Sequence, residues 1–486
     1  MSDASTSCSK GTRSAVGGPA ALLSKSILLL GAVSAATGVA QAQSAPAATS
    51  SGAPVDDKSL SWHGLTVYGV VDVGIETQSH GAPLNDYFPA GGSVIVQPNS
   101  NHPVTGLVPN SLSQSRIGLQ GNEPIVGDWS GVFKLETFFN PQSGQITDAT
   151  KSLAQNNGRS AASGTQTTNL DSSIDGQTFQ QSFAGFSSKT YGTITFGRQN
   201  TILADGIAKY DPNFASQAFS LIGLSGTTAG GGSTEERRLD DSVKYVVNID
   251  GFGHFGALYK FNQATGGANN AFQAVIGGEY AGFSIDAYYS KIHDAIAVNA
   301  LTAAQVGDLA GLGLSDSNTL RATVSDNTSW AVLALYDLGV VKFYAGFEHI
   351  QFADPRDPFT TGINVAAYDI PLSFLNQAAY PTDREQQVYW AGVRYTVVPD
   401  LDLVGAYYAY HQNSYGIGAN AGCDSNQAAT CSGRTEAISF DAVYRLSRRF
   451  DTYLGALYTG VLNGQANGYV LHTTDITTTW GVRFKF

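Results

Sequence analysis

The chain ends with Thr477-Thr-Thr-Trp-Gly-Val-Arg-Phe-Lys-Phe486. From Trp480 onward the even-numbered positions are apolar, and the odd-numbered positions are glycine, arginine and lysine. Because successive side chains of a strand point to opposite faces, this segment has one apolar face and one cationic or small face. A soluble antiparallel strand can show the same alternation. An aromatic end with no turn or tail after it favours the last strand of a closed barrel whose outer face contacts lipid.

The composition agrees with a barrel better than with membrane helices. Only 14% of the 486 residues are charged, below the usual value of about 25%. Apart from one segment near the N-terminus, no apolar run reaches the roughly 20 residues of a membrane-spanning helix. The mean hydropathy of −0.08 argues against a helical membrane protein. It is compatible with a barrel, since about half of each barrel strand is polar.

The N-terminus has the pattern of a secretory signal. Basic residues precede a mostly apolar run over residues 26–40, and Ala40-Gln41-Ala42 supplies an A-x-A cleavage pattern. We therefore predict a signal peptide over residues 1–42 rather than an anchoring helix. Residues 43–59 are of low complexity and predict a flexible leader, so the folded domain is expected over residues 60–486.

Charge and cysteine content narrow the function classes. The formal net charge of −12 disfavours nucleic-acid binding. Cys8 lies in the predicted signal, which leaves Cys423 and Cys431 in a segment rich in Gly, Asn and Ser. In an exported protein, two cysteines this close predict a small disulfide. The alternative is a pair of free thiols. A metal site is less favoured, because no other Cys or His is nearby in sequence.

Strand-like segments and turns repeat along the rest of the chain, and sixteen segments can be counted. Their approximate bounds are 62–78, 115–124, 129–140, 181–188, 191–199, 241–250, 253–262, 271–280, 282–292, 327–338, 340–352, 384–397, 400–412, 435–446, 450–461 and 477–486. Tight turns alternate with connections that are mostly long, which is characteristic of outer-membrane barrels. A strand can span hydrocarbon only in a closed ring, because an unpaired backbone group there costs several kcal/mol. Sixteen strands enclose a lumen too wide for side chains to fill, so the fold class expected is an all-β, antiparallel transmembrane barrel with an aqueous channel.

Five segments, together with the terminal Phe486, resemble the general porins of Gram-negative bacteria, especially those of β-proteobacteria. They are Val67-Tyr-Gly-Val-Val-Asp72, Ser115-Arg-Ile-Gly-Leu-Gln-Gly121, Lys134-Leu-Glu-Thr-Phe-Phe-Asn-Pro-Gln-Ser-Gly144, Tyr191-Gly-Thr-Ile-Thr-Phe-Gly-Arg-Gln199 and Arg238-Leu-Asp-Asp-Ser-Val-Lys-Tyr245. Their order and spacing together are specific, and the resemblance covers residues 60–486. It implies a homotrimer of sixteen-stranded barrels in the bacterial outer membrane, in contact with lipid and lipopolysaccharide. It also implies passive diffusion of small hydrophilic solutes and ions.

The resemblance further implies that the third long loop, about residues 200–234, folds into the barrel and narrows it. In the family, acidic residues on this loop oppose arginines on the barrel wall. The corresponding candidates for a pore constriction are Arg116, Arg198, Arg237, Arg238, Asp205 and Asp211. Two departures qualify this expectation. Strict alternation places Arg198 on the apolar face, so its role requires a bulge or a position beyond the lipid band. The acidic proline-glycine motif of enteric porins is also absent from the loop.

Further cations fall on polar strand faces and are expected to line the lumen: Lys134, Lys244, Arg394 and Arg483. They favour anion preference, since rings of charge set the ion preference of a pore. The alternative left open is that they only solvate the lumen or pair with Glu136, Asp241 and Asp441.

Three other functions compete with a general channel. A substrate-selective channel for sugars or organic acids would use aromatic side chains on polar faces, such as Tyr68 and Tyr344. An enzyme would need a nucleophile and a base, but the histidines are scattered and no G-x-S-x-G occurs. An adhesin or phage receptor would use the long loops and leave no signature. No cofactor is predicted. No metal is predicted either, because the acidic pairs lack ligand spacing such as that of an EF-hand.

Overall fold

The computed structural model describes residues 60–80, 101–142, 144, 146, 179–225, 238–249, 253–261, 270–300, 320–356, 375–377, 382–418, 421–423, 430–465 and 472–486. The predicted signal peptide and leader lie outside these residues. The described strands are β1 (Ser61–Trp62), β2 (Leu65–Gln78), β3 (Val104–Pro109), β4 (Arg116–Val126), β5 (Trp129–Phe138), β6 (Gln181–Ser188), β7 (Gly192–Asn200), β8 (Arg238–Ile249), β9 (Gly253–Lys260), β10 (Ala271–Tyr280), β11 (Phe283–Ala300), β12 (Leu320–Asp337), β13 (Val341–Ala353), β14 (Leu375–Gln377), β15 (Arg384–Val398), β16 (Leu401–Gln412), β17 (Gly433–Arg445), β18 (Phe450–Asn463) and β19 (Thr474–Lys485).

Sixteen of these strands form a closed antiparallel barrel, which confirms the predicted fold class. The barrel closes where β19 pairs with β2, with Trp480 opposite Ile75 and Arg483 opposite Asp72. The short strands β1, β3 and β14 complete the sheet: β1 pairs with the start of β2, β3 with its second half, and β14 lies parallel to β12.

The alternation of side chains follows the sequence pattern. On β17, Ile438 and Phe440 are 57% and 62% exposed on the outer face, whereas Ser439 and Asp441 are 2% and 1% exposed on the inner face. The outer face is therefore lined by apolar side chains, and the inner face by polar side chains.

Two strands are longer than the sequence predicts. Backbone pairing between β11 and β12 continues past a bulge between Ile292 and Ala295, as far as Ala300 opposite Leu320. Part of the predicted 293–326 connection is therefore strand. In addition, the structure has a strand that the sequence does not predict: β3 lies inside the segment predicted to connect the first two strands.

Two helices, α1 (Ile202–Tyr210) and α2 (Leu221–Ser225), follow β7. The Thr201 side chain caps α1 by accepting a hydrogen bond from the Ala204 amide at 3.1 Å, which satisfies one of the free N–H groups of the first turn. The apolar residues of α1 join a buried cluster with inward-facing residues of the wall, including Leu258, Val275 and Tyr288. Among the described residues, no helix is long and apolar enough to cross a membrane.

Candidate pore constriction

The loop segment 201–225 enters the barrel and runs along one side of its inner wall. It begins at β10, where the side-chain oxygen Oε1 of Gln273 accepts from the Ile202 amide at 2.9 Å. It continues past β15, where the Trp390 indole donates to the Tyr210 carbonyl at 3.0 Å. A Cβ added at Gly206 would lie 2.3 Å from the Tyr288 hydroxyl, so only glycine allows this approach of α1 to β11. We call the inner faces of β10 to β18 that contact this segment the covered wall.

Arg394 lies on the covered wall and holds the loop. Its guanidinium donates to Asp402 on β16 at 3.0 Å and to the Pro212 carbonyl of the loop at 2.8 Å. The same group lies 4.4 Å from the centre of the Phe214 ring. Because Arg394 contacts both wall and loop, it acts as an anchor in this structure, whereas the sequence predicts a residue that lines the lumen.

Asp211 also lies between loop and wall, and it is 0% exposed. Its carboxylate accepts from the Tyr408 hydroxyl at 2.7 Å and from the Ala215 amide at 2.6 Å. Burial raises the pKa of the Asp211 carboxyl, and these hydrogen bonds act in the opposite direction. The sequence predicts that Asp211 faces the pore, but in the structure it is buried between the loop and the wall.

A second set of charges lies on β4 and β5. The Glu136 carboxylate is 3.6 Å from the Arg116 guanidinium and 3.5 Å from the Lys134 ammonium. It also accepts from Tyr68 at 2.8 Å and from Gln181 at 2.8 Å. The Glu136 side chain is 4% exposed, against 14% for Arg116 and 12% for Lys134. The two cations are thus nearer to the lumen surface than the carboxylate that balances them.

The start of the loop contributes Asp205 to the same side. Its carboxylate contacts the Lys244 ammonium on β8 at 3.1 Å and accepts from the side-chain Nδ2 of Asn200 at 2.9 Å. Lys244 and Asp205 retain 11% and 19% exposure of their side chains. We call the inner faces of β4, β5, β7 and β8 the open wall. On this side the structure brings together Arg116, Lys134, Lys244 and Asp205.

Arg198 lies at a bulge of the kind that its predicted role requires. The pairing of β7 with β8 shifts register between Gly197 and Gln199, which leaves Arg198 at the irregularity. Two of its guanidinium nitrogens, Nε and Nη2, are buried. After the bulge, Gln199 is 0% exposed and lies inside the barrel wall.

Arg238 lies at the start of β8 and is 7% exposed. Its guanidinium donates to the Gln180 side chain at 3.4 Å and lies 4.6 Å from the centre of the Phe138 ring. It is thus held beside the end of β5, which carries Glu136. The other candidate at this point, Arg237, lies outside the described residues.

The remaining candidates lie away from these charges. Arg483 donates to Asp451 on β18 through Nε at 2.9 Å and Nη2 at 2.6 Å, and it is 9% exposed. Cys423 and Cys431 are bonded to each other between β16 and β17. Within the described part of the chain, no three His, Cys, Asp or Glu side chains are grouped to hold a metal ion.

One inner-surface feature was missed by sequence reasoning. Residues 110–115, between β3 and β4, turn into the barrel and are mostly buried. The signal available was the polar run Asn110-Ser-Leu-Ser-Gln-Ser115, which interrupts the alternation just before Arg116.

A closed sixteen-stranded barrel with an inward loop and charged side chains on its inner face defines a channel protein of the bacterial outer membrane. The sequence model of the family described as Gram-negative porin matches residues 29–463. The chain therefore belongs to the Gram-negative porin family, which confirms the predicted family, the outer-membrane location and the class of transport protein.

Individual relatives are distant. An outer membrane porin protein of Bordetella pertussis is 26% identical over 207 residues, which are 41% of this chain and 43% of that protein. The match thus spans less than half of that relative. The anion-selective porin from Comamonas acidovorans has a TM-score of 0.55 at 16% identity, over 87% of this chain and 99% of that one. OmpT, an outer membrane protein of Vibrio cholerae, has a TM-score of 0.52 at 14% identity, over 88% and 99%. At this identity the likeness shows a shared fold.

Proposed function

We propose that this porin forms a water-filled channel in the outer membrane for passive diffusion of small hydrophilic solutes and ions, with a preference for anions. The passage runs between loop segment 201–225 and the open wall. Passive diffusion needs no covalent chemistry, only a polar route through a barrel whose outer face is apolar. We further propose that the outer face contacts outer-membrane lipid and lipopolysaccharide.

The observation that carries the anion preference is the depth of Glu136 behind Arg116 and Lys134. Its two oxygens are occupied by Tyr68 and Gln181, whereas the two cations are more exposed. A solute at this wall meets positive charge before negative charge. Because charged side chains around a pore set its ion preference, anions are favoured. The likeness to the anion-selective porin from Comamonas acidovorans supports the same direction.

Constriction roles are assigned on the same basis. Arg116, Lys134 and Lys244 form the cationic side, with Arg198 and Arg238 beside them, and Asp205 is the acidic residue of the loop. Asp205 lies on the same side as these cations and balances Lys244, so this side of the passage keeps an excess of positive charge. The field of these charges favours solutes with charge or a dipole over apolar ones.

We propose a homotrimer as the functional assembly. Support comes from a trimer form of the Vibrio cholerae OmpT structure, which has a TM-score of 0.50 to this chain. In planar-bilayer recordings, the current through one inserted trimer should show three conductance levels, one for each barrel. Steps of single, independent channels would contradict the trimer while leaving the channel intact.

Reversal potentials in a KCl gradient test the channel and its ion preference. We expect a nonzero potential of the sign for chloride preference. A potential of the opposite sign would overturn the anion preference, and the absence of stepwise current would overturn the channel function.

A substrate-selective channel for organic acids is a second candidate. The observation in its favour is the Lys134 ammonium 5.5 Å from the centre of the Tyr68 ring, beside Arg116. A carboxylate with an apolar body fits such a mixed surface. Selective binding would interrupt the chloride current at low concentrations of an aromatic carboxylate but not of acetate. Equal effects of both would favour the general channel.

A further inference from the structure

Two strands, β3 and β4, pair one after the other with β2, and the chain between them turns into the barrel. β3 pairs with Val73–Gln78 of β2, and β4 pairs with Leu65–Val70. The six residues 110–115 between β3 and β4 leave the sheet opposite only two residues of β2, Val71 and Asp72. Asn110 allows the turn with a φ of 62°, a conformation that asparagine tolerates better than most residues. We call residues 110–115 the inward excursion.

Asp72 holds the inward excursion through its side chain and its backbone. Its Oδ2 accepts from the Leu112 amide at 3.1 Å and the Ser113 amide at 2.8 Å. Its backbone amide donates to the Ser115 hydroxyl at 2.9 Å, and its carbonyl accepts from the Asn110 amide at 3.0 Å. Asp72 is 0% exposed, so it does not touch the passage.

The inward excursion also meets the tip of the loop. The Ala218 amide donates to the Ser111 carbonyl at 3.0 Å. Leu112, Ala218, Phe219 and Tyr453 belong to one buried apolar cluster. The Tyr453 hydroxyl donates in turn to Oδ1 of Asp72. The loop tip therefore rests on a segment that Asp72 orders.

We propose that Asp72 is a positioning residue for the constriction, because the inward excursion that it holds fixes both sides of the passage. On one side the excursion leads directly into Arg116. On the other it supports the loop tip at Ala218. This inference rests on the proposed channel function, and it assigns control of ion preference to a carboxylate outside the passage.

The sign of the change in ion preference separates positioning from simple charge. Removing a buried carboxylate makes the lumen more positive and should by itself strengthen anion preference. If Asp72 positions Arg116 and the loop, Asp72→Ala should instead move the reversal potential toward zero and add current flicker. Glu76→Ala is the matched control, because Glu76 is also buried on the inner face of β2 and its carboxylate accepts from Gln78 and Thr479.

Similar shifts in Asp72→Ala and Glu76→Ala, both toward stronger anion preference, would overturn the proposal. Heat-dependent electrophoretic mobility checks that each variant forms the barrel. Should Asp72→Ala not fold, Asp72→Asn provides a milder test. One amide oxygen can still accept from the excursion, so we expect a smaller shift of the same sign as for Asp72→Ala.

A cross-link gives a readout that does not depend on conduction. The backbones of Ser111 and Ala218 are adjacent, so Ser111→Cys with Ala218→Cys should form a disulfide that peptide mass mapping detects. Its yield should be high with Asp72 present and at least several-fold lower with Asp72→Ala. Equal yields would refute the positioning role even if the channel were inactive. High yield together with an absence of current would refute the proposed function alone.

Discussion

Arg394 on the covered wall and Arg116 on the open wall both lie on inward-facing strand positions, yet their partners differ. Arg394 contacts the loop through Pro212 and Phe214 as well as Asp402. Arg116 pairs with Glu136 on the neighbouring strand, so both partners belong to the wall. The comparison teaches that a lumen charge becomes structural or functional according to whether the loop lies over it.

The largest expected effect is on stability, at the covered wall. Arg394→Ala leaves Asp402 buried with Arg445 as its remaining cation. It also removes the hydrogen bond that Arg394 donates to the Pro212 carbonyl of the loop. Breaking a buried ion pair costs roughly 3 kcal/mol or more. We expect Arg394→Ala to lower the free energy of unfolding by about 3 kcal/mol, measured by urea titration of tryptophan fluorescence.

Arg394→Lys and Arg116→Ala serve as controls for that measurement. The lysine keeps the charge but not the two-sided contact, so an intermediate loss is expected. Arg116→Ala should cost clearly less than Arg394→Ala, since Glu136, its partner in the ion pair, lies on the neighbouring strand and not on the loop. Equal losses at the two arginines would remove the distinction between the walls.

The second effect is on ion preference, at the open wall. Arg116→Ala should shift the reversal potential in a KCl gradient toward neutral selectivity, whereas Arg116→Lys should retain most of the preference. Arg394→Ala should shift it less, because loop residues Pro212 and Phe214 lie over the Arg394 guanidinium. An unchanged potential in Arg116→Ala would exclude this residue from the constriction.

Glu136→Gln should produce a smaller change in the opposite direction. The substitution removes the negative charge behind Arg116 and Lys134 and keeps an oxygen that can accept a hydrogen bond. Anion preference should therefore increase. Asp402→Asn is the matched carboxylate on the covered wall and is expected to change the potential less. A larger effect at Asp402 would show that the covered wall still contributes to the field in the passage.

The sequence could predict which side chains face the lumen, because strand alternation is a local property. Arg116 and Arg394 were both recognised in this way. It could not predict which of them the loop covers, since the path of segment 201–225 depends on contacts far apart in the chain, such as Trp390 with Tyr210. For the same reason the sequence places Asp211 at the pore, whereas the structure buries it.

The inward excursion escaped prediction because its fold depends on Asp72, which is more than thirty residues earlier in the chain. Taken by itself, a polar run such as residues 110–115 predicts the end of a surface loop. Only the pairing of β2 with both β3 and β4 turns it into the lumen. The continued pairing of β11 with β12 is likewise decided between strands and not within either one.

The smallest effect is expected at Cys423 and Cys431, which lie on a loop apart from both walls. A disulfide that closes so short a segment removes less chain entropy than one that closes a long loop, and it constrains only this loop. Backbone hydrogen bonds from Thr430 and Cys431 to the Gly422 carbonyl, at 3.0 and 2.8 Å, would still hold the segment. Reduction should therefore speed proteolysis of this loop and leave both reversal potential and barrel unfolding unchanged. Mass mapping without reductant should find the two cysteines linked. Alkylation of free thiols there would contradict the disulfide. A change in ion preference on reduction would show that this loop, as well as the two walls, affects the passage.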